Sequence, residues 1–371
     1  MVCKDRVFGY RPDTSGSCGA SQEHSEHCVF ANNDHEILRV DFHYWCRRVL
    51  SLVMNESFLT EDKFSDFILR ITHQIWEERN VPAIGTYYGN DVVVRSPSGV
   101  TVGNQAVIDS TYATLREFPD RQLLGEDVIH NGSDDEEWLS SHRIFSTATH
   151  LGKGYFGEPS GRPLRYRVIA DCAVRNGVIF DEWLVRDFGA IVRQMGSTPE
   201  DFARTLVNSA GGSTREEDRK FSIVPAIYRS RGNDHLAGRT LAKAVIEMLN
   251  GDFDSVSSRF DRAAQFDLPG GNVVNGRDAG LRALQDLLVP LVCKDIVIEH
   301  ELGHSDLARR ERGAVRTITQ GLHAKSGWLG APTSKELAVL SIWHAEYLGA
   351  KISRLFVLQD EVAMWRQVLS T

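Results

Sequence analysis

The clearest alternation of apolar and polar residues flanks Asn176-Gly177, a dipeptide typical of two-residue β-hairpin turns. If these two residues form the turn, Arg175 pairs with Val178 and Tyr166 pairs with Asp187. One predicted face then carries Tyr166, Val168, Ala170, Cys172, Val174, Ile179, Asp181, Trp183, Val185 and Asp187. The other carries Arg165, Arg167, Asp171, Glu182 and Arg186, with Ile169 and Leu184 between them. The pattern predicts that Asp187 lies on an apolar face, towards a core or a pocket.

Apolar residues at helical spacing predict a helix within residues 64–80 and another within 236–260. After each helix, a short strand and a Pro/Gly turn are predicted, the turns at 96–99 and 268–271. A second helix follows each turn, and three or four strands complete each pattern.

An internal repeat explains why the same order occurs twice. When the chain is shifted by 173 residues, Arg143 falls on Arg316, His150 on His323 and Asp187 on Asp360. At least ten identities keep this register between Glu126 and Gln194 without a gap. The chain is therefore predicted to contain two copies of one domain, at residues 58–207 and 235–371, joined by a linker at 208–234.

Composition narrows the class of protein. The chain has 371 residues, 42% hydrophobic and 25% charged, with a net charge of -8. The negative charge argues against a nucleic-acid partner, and the apolar runs are too short to span a membrane. Six scattered cysteines show no paired framework, which favours reduced thiols and a cytoplasmic location.

Residues 1–57 are polar and rich in glycine and serine, and they are expected to form a disordered leader outside both domains. This segment contains Cys18, His24, His27 and Cys28, but their spacing fits no standard zinc pattern. A metal site is therefore not expected in this segment, and no ligand spacing shared by both copies predicts one elsewhere.

Asp187 and His150 are the candidate catalytic residues. A carboxyl group among apolar neighbours should have a raised pKa, which suits a general acid or base near neutral pH. A structural carboxylate that accepts backbone hydrogen bonds is the alternative. His150 precedes a glycine-rich stretch, where it could orient Asp187 or polarise a substrate oxygen, or could instead fasten a loop. Arg143 differs from His150 in strand parity and is expected to form an ion pair, with Glu126 as a candidate partner.

Four stretches together carry a family resemblance: TVGNQAVI at 101–108, THLGKGYFGEPSGR at 149–162, DEWLVRDFGAIVRQMG at 181–196 and, more weakly, GLHAKSGWLGAPTSKE at 321–336. They resemble the SnoaL-like family of polyketide cyclases and ester cyclases, in the nuclear-transport-factor-two-like superfamily. The resemblance covers about 300 residues, as a tandem two-domain chain.

This resemblance implies an α+β fold of two cone-like domains, each a strongly curved, mainly antiparallel sheet wrapped around helices. It also implies a cofactor-free acid/base site, with catalysis by Asp187 and His150. Tyr166, Trp183, Asp181, Tyr87 and Arg143 are the candidate binding residues. The less favoured equivalents in the second domain are Asp360, His323 and Arg354, where the arginine is expected to hold Asp360 ionised.

The sequence is compatible with two functions. The first is cyclisation, isomerisation, dehydration or hydrolysis of a small carbonyl compound, and the alternative is a non-catalytic binding or assembly protein. The partners expected are a small organic ligand and the second domain, with a further homodimer left open. The domains are predicted to pack through sheet faces, because Leu340, Ile342, Leu355 and Val357 are too apolar to meet water.

Overall fold

The structure is a computed structural model, and it describes residues 27–31, 37–41, 61–133, 136–209, 219–306 and 309–370. The chain divides into two compact units, Met1–Ser57 and Phe58–Thr371. In the first unit, strands β1 (His27–Ala31) and β2 (Ile37–Asp41) pair antiparallel. The rest of the expected leader, including Cys18 and His24, lies outside the described residues.

The second unit contains both repeats. Helix α1 of the first repeat (Glu61–Thr72) continues into a π-helical turn (His73–Glu77), and a 3₁₀ turn follows at Val81–Ala83. The later elements are α2 (Ile84–Tyr87), β3 (Tyr88–Ser96), β4 (Gly99–Val102), α3 (Asn104–Glu117), β5 (Gln122–Asn131), β6 (Trp138–Thr149), β7 (Pro163–Arg175), β8 (Val178–Arg186), α4 (Phe188–Gln194) and α5 (Pro199–Ser209).

A 3₁₀ turn at Lys220–Ser222 precedes the second repeat. That repeat comprises α6 (Leu236–Leu249), α7 (Phe253–Ser257), β9 (Phe260–Leu268), a 3₁₀ turn (Pro269–Gly271), β10 (Asn272–Asn275), α8 (Arg277–Leu288), β11 (Leu291–His304), β12 (Arg312–His323), β13 (Glu336–Leu348), β14 (Lys351–Leu358) and α9 (Glu361–Leu369).

The two repeats build six-stranded sheets of the same order. The first sheet runs β4-β3-β8-β7-β6-β5 and the second runs β10-β9-β14-β13-β12-β11. All neighbouring strands are antiparallel except β3–β8 and β9–β14. Helices α1 and α3 pack on one face of the first sheet, and α6 and α8 pack on the equivalent face of the second. The predicted α+β class and the tandem arrangement are confirmed.

The opposite faces of the two sheets pack against each other. Ile169, Trp183 and Val185 of the first sheet meet Ile318, Leu340 and Ile342 of the second in one buried cluster. The predicted packing through sheet faces is therefore correct. Leu355 and Val357 are also buried, but they belong to the interior of the second repeat instead of to this interface.

A buried polar network lies at the centre of the same interface. The Asp171 carboxylate accepts hydrogen bonds from Arg316 at 2.7 Å and from His300 at 2.9 Å, both in the second repeat. Burial raises the pKa of Asp171, but His300 and Arg316 outweigh burial and bring the pKa down to about 2. Ionised Asp171 thus joins the two sheets through a desolvated ion pair.

Candidate functional site

The β7–β8 hairpin determines which side chains face the interior of the first repeat. Asn176 and Gly177 form the predicted turn with φ values of 52° and 71°, and Arg175 pairs with Val178. A β-bulge at Phe180 then shifts the register, so that Ala173 pairs with Asp181 and Cys172 with Glu182. The predicted pairing is correct for Arg175–Val178 and Val174–Ile179. Beyond the bulge it is wrong by one residue, and the two faces of β8 are exchanged there.

A cavity of about 260 Å³ lies between the first sheet and its helices. Its apolar wall includes Ile68, Val107, Phe118, Ile144 and Ile191. Its polar wall includes Tyr88, Glu117, Arg121, His142, Glu182 and Arg186. A mainly apolar cavity with a limited number of polar groups is typical of a small-molecule binding site.

Glu182 is a cavity-lining carboxyl group whose pKa is strongly changed by this environment. Its side chain faces the cavity because of the bulge, and the residue is only 6% exposed. Burial raises the pKa of Glu182 to about 7, although Arg186 and a hydrogen bond with Tyr88 favour the ionised form. A carboxyl group with this pKa exchanges a proton readily near neutral pH.

Two arginines occupy the same region of the cavity wall. Arg186 lies deep in the protein, and the surface that its side chain still exposes faces the cavity. Burial and the neighbouring charge of Arg121 lower the pKa of Arg186, but a guanidinium group stays protonated at neutral pH. Arg121 is buried beside Tyr166, with its guanidinium carbon 6.0 Å from the ring centre. The wall therefore carries two positive charges.

His142 adds a neutral imidazole to the cavity wall. Burial and the charge of Arg143 lower its pKa to about 3. Its buried Nε2 atom has no hydrogen-bond partner among the described residues. At neutral pH this side chain can donate or accept a hydrogen bond without carrying charge.

His150 fastens a loop next to the cavity. Its Nδ1 atom accepts a hydrogen bond from the backbone N–H of Ser160 at 3.2 Å, which leaves the proton on Nε2. That Nε2 atom lies 3.4 Å from a carboxylate oxygen of Glu117, which also accepts the backbone N–H groups of Tyr155 and Phe156. In the second repeat, the Nδ1 atom of His323 lies 3.0 Å from the hydroxyl oxygen of Thr333, which corresponds to the 3.1 Å contact between His150 Nδ1 and the Ser160 hydroxyl. The geometry matches the loop-fastening alternative in both repeats.

Asp187 lies at the N-terminus of α4 and does not line the cavity. Its carboxylate accepts hydrogen bonds from the N–H groups of Ala190, Gly270 and Gly271 at 2.9–3.0 Å. Positive φ values of 79° and 73° turn both glycine N–H groups towards it. The pKa of Asp187 is raised to about 6 by burial, in the expected direction.

Asp360 occupies the equivalent position in the second repeat, where it caps α9 through the N–H group of Ala363 at 3.0 Å. Arg354 does not hold it ionised, because this arginine pairs with Asp267 at 2.9 Å. Burial instead raises the pKa of Asp360 to about 7. The sequence-based expectation for this pair is therefore wrong.

The remaining predicted binding residues lie in three places. Tyr166 lines the cavity, as does Tyr88, whereas the Tyr87 hydroxyl donates a hydrogen bond to Gln74 at 2.8 Å, outside the lining. Asp181 and Trp183 face the second sheet, where Asp181 pairs with Arg95 and accepts the N–H group of Ile227. Arg143 is buried in the interface and pairs with Glu126 at 3.2 Å, as predicted, and with Glu346 at 3.1 Å.

The second repeat has apolar residues at three positions where the first has cavity-lining polar groups. Glu182, His142 and Thr111 correspond to Leu355, Val315 and Leu284 in the repeat register, and all three of these pack in the second core. A cavity of only about 10 Å³ is found there, beside Leu287, Pro290 and Met364. The interior of the second repeat is thus largely filled.

The differences between the two repeats are the sequence feature that indicates which residues line the cavity. Residues shared by both repeats, such as His150 and Asp187, maintain the fold in both. Residues that are polar only in the first repeat, such as Glu182, face the cavity.

No helix in the described ranges, 61–133 through 309–370, is long and apolar enough to cross a membrane.

Comparison with known proteins found a similarity that lies within the first repeat. Residues 67–195 match the family of SnoaL-like polyketide cyclases, whereas a search of curated proteins returned no match. Among solved structures, IdmH of Streptomyces antibioticus, described as a candidate polyketide cyclase, is 21% identical. The match covers 36% of this chain and 97% of that one, with a TM-score of 0.32. AclR of Streptomyces galilaeus, described as a candidate hydroxylase, is 20% identical over 37% of this chain and 98% of its own, with a TM-score of 0.33. Over residues 67–195, the first repeat is thus similar to the SnoaL-like polyketide cyclase family.

Proposed function

We propose that the first repeat binds a small organic carbonyl compound in its cavity and transfers a proton on it, with Glu182 as general acid and base. The observation that supports this most strongly is a cavity-lining carboxyl group with a pKa of about 7. Cyclase and isomerase reactions of carbonyl compounds share such a step, because a proton leaves the carbon beside the carbonyl group.

The step needs only side chains of this chain. Ionised Glu182 removes the proton from the carbon beside the carbonyl group, and the electron pair moves onto the carbonyl oxygen as an enolate. Its negative charge is stabilised by the positive field of Arg186 and Arg121. Protonated Glu182 then returns the proton to the same or another carbon of the product.

Tyr88 positions the acid/base group. Its hydroxyl is hydrogen-bonded to Glu182, and its pKa is raised well above the usual value, mainly by burial. Tyr88 therefore stays protonated and acts as a donor throughout the cycle, holding the carboxyl group in one orientation.

A ketone with acidic protons tests this proposal before the natural substrate is known. We expect the protein to accelerate exchange of the α-protons of 2-tetralone in deuterated buffer, followed by NMR. Glu182→Gln should lower the rate by about 10²–10⁴-fold, because the amide cannot carry the proton. Glu200→Gln, on the exposed side of α5, is the matched control and should not change it. Equal rates in Glu182→Gln and the unchanged protein would contradict the assignment.

Ligand binding without turnover is the second candidate. The second repeat favours this alternative, because it has the same fold with a largely filled interior. The fold therefore occurs in this chain without a comparable cavity. Saturable binding of 2-tetralone without accelerated exchange would support this alternative.

A further inference from the structure

Arg186 is a cation for which the described part of the chain provides no ion-pair partner. Among the described residues, no carboxylate lies within ion-pair distance of its guanidinium group, and no hydrogen bond to it is found. Glu182 and Asp360 act on it only through longer-range electrostatic attraction. A desolvated charge without a partner is costly, so proteins pair such groups unless a ligand supplies the partner.

Arg121 extends the same positive region. Its Nε atom has one long contact, 3.4 Å to the Ser146 hydroxyl, and its charge is close enough to Arg186 to disfavour ionisation there. The carboxylate of Glu117 accepts the backbone N–H groups of Tyr155 and Phe156, and among the described residues it forms no ion pair with either arginine. The cavity wall therefore presents two guanidinium groups that repel each other.

We propose that the cavity binds an organic carboxylate, with the carboxylate group against Arg186 and Arg121 and the apolar body against Phe118 and Ile191. This inference rests on the proposed function, since it names the class of compound that the same cavity takes. A planar guanidinium group matches a carboxylate with two parallel hydrogen bonds, and an anion would remove the repulsion between the arginines.

The rest of the cavity favours an organic anion over a small inorganic one. Phe118, Ile144 and Ile191 form an extended apolar surface in a volume of about 260 Å³. Inorganic phosphate would leave this apolar surface uncovered. A carboxylate on an apolar ring system satisfies both regions.

Calorimetric titration with 2-naphthoate and 2-naphthamide tests the proposal on the full chain. The two probes share shape and differ in charge. We expect 2-naphthoate to bind roughly 10- to 100-fold more tightly, the range for hydrogen bonds to charged groups. Arg186→Met should abolish this preference while 2-naphthamide binding stays the same. Arg204→Met, on the exposed side of α5, is the matched control and should retain the preference.

Equal affinity for the two probes in the unchanged protein, or no binding of 2-naphthoate, would overturn the proposal. So would an unchanged preference in Arg186→Met. If Arg186→Met does not fold, Arg121→Met and the comparison of probes on the unchanged protein decide the question. The result is separable from the exchange assay. Glu182-dependent exchange with equal probe affinities refutes only the carboxylate ligand, whereas selective 2-naphthoate binding without such exchange refutes only the proposed function.

Discussion

Tyr88 and Phe260 occupy equivalent positions in the two sheets and differ by one hydroxyl group. Tyr88 pairs with Ile179, and Phe260 pairs with Ile352, which is the repeat partner of Ile179. In the first repeat the Tyr88 hydroxyl forms a hydrogen bond with the carboxyl group of Glu182, whereas Leu355 occupies the equivalent position in the second repeat. The two differences together separate an interior with a polar cavity from a filled one.

Tyr88→Phe should raise the pKa of Glu182, because the hydrogen bond from Tyr88 favours the ionised carboxylate. The rate of 2-tetralone exchange should rise with pH with a midpoint near pH 7 in the unchanged protein. In Tyr88→Phe this midpoint should lie at a higher pH, and the pH–rate profile measures the shift. The conservative change Tyr87→Phe, outside the cavity lining, is the control and should leave the midpoint in place. A profile unchanged by Tyr88→Phe would contradict the hydrogen bond's role.

Glu182 should make the free energy of unfolding fall as pH rises. Its pKa is about 7 in the folded protein and close to 4.5 when exposed, so the unfolded chain binds fewer protons between these values. Stability from the neutral form is complete below about pH 4.5 and is lost progressively towards and just above pH 7. Glu182→Gln removes this titration.

Chemical denaturation at pH 5 and pH 8 measures the effect. We expect Glu182→Gln to gain stability relative to the unchanged protein between these pH values, by about 1–3 kcal/mol. Asp187 and Asp360 titrate in both proteins, so their contributions cancel in the difference between the two free energies of unfolding. A relative stability that does not change with pH would show that Glu182 titrates normally.

Asp187→Asn and Asp360→Asn should both lower stability, since both residues cap the helix that follows them. Replacing one oxygen by an amide group disrupts backbone hydrogen bonds, which should cost about 1–3 kcal/mol in each variant. Urea denaturation measures both. Loss in only one variant would contradict the shared capping role.

Asp171→Asn should weaken the packing of the two sheets. It leaves the buried guanidinium group of Arg316 without its carboxylate at 2.7 Å, which should lower the free energy of unfolding by about 3–5 kcal/mol. Glu200→Gln, which breaks an exposed pair with Arg204, should cost less than about 1 kcal/mol. Similar losses in the two variants would show that the buried pair is not important for stability.

The order of elements and the repeat could be predicted because their signals are local and occur twice. Asn176-Gly177 specifies its own turn, and the helical patterns are long. The bulge at Phe180 was not predictable from alternation, because an extra residue in one strand is tolerated only through contacts with the rest of the fold. That single residue moved Glu182 and Arg186 to the cavity face and Trp183 to the interface.

The candidate site was harder to predict for a different reason. Asp187 and His150 stand out in the sequence because both repeats and the family pattern contain them. A residue that occurs both in the repeat with a cavity and in the repeat with a filled interior is more typical of a structural role. Their placement, on a helix cap and a loop, depends on backbone N–H groups that sequence does not reveal.

The most direct test of the account compares Glu182→Gln and Asp187→Asn in the 2-tetralone exchange assay, with each rate normalised to the folded fraction. We predict that Glu182→Gln loses about 10²–10⁴-fold in rate while Asp187→Asn keeps the rate of the unchanged protein. The opposite pattern, with activity retained in Glu182→Gln and lost in Asp187→Asn, would move the acid/base role to Asp187 and contradict the site described.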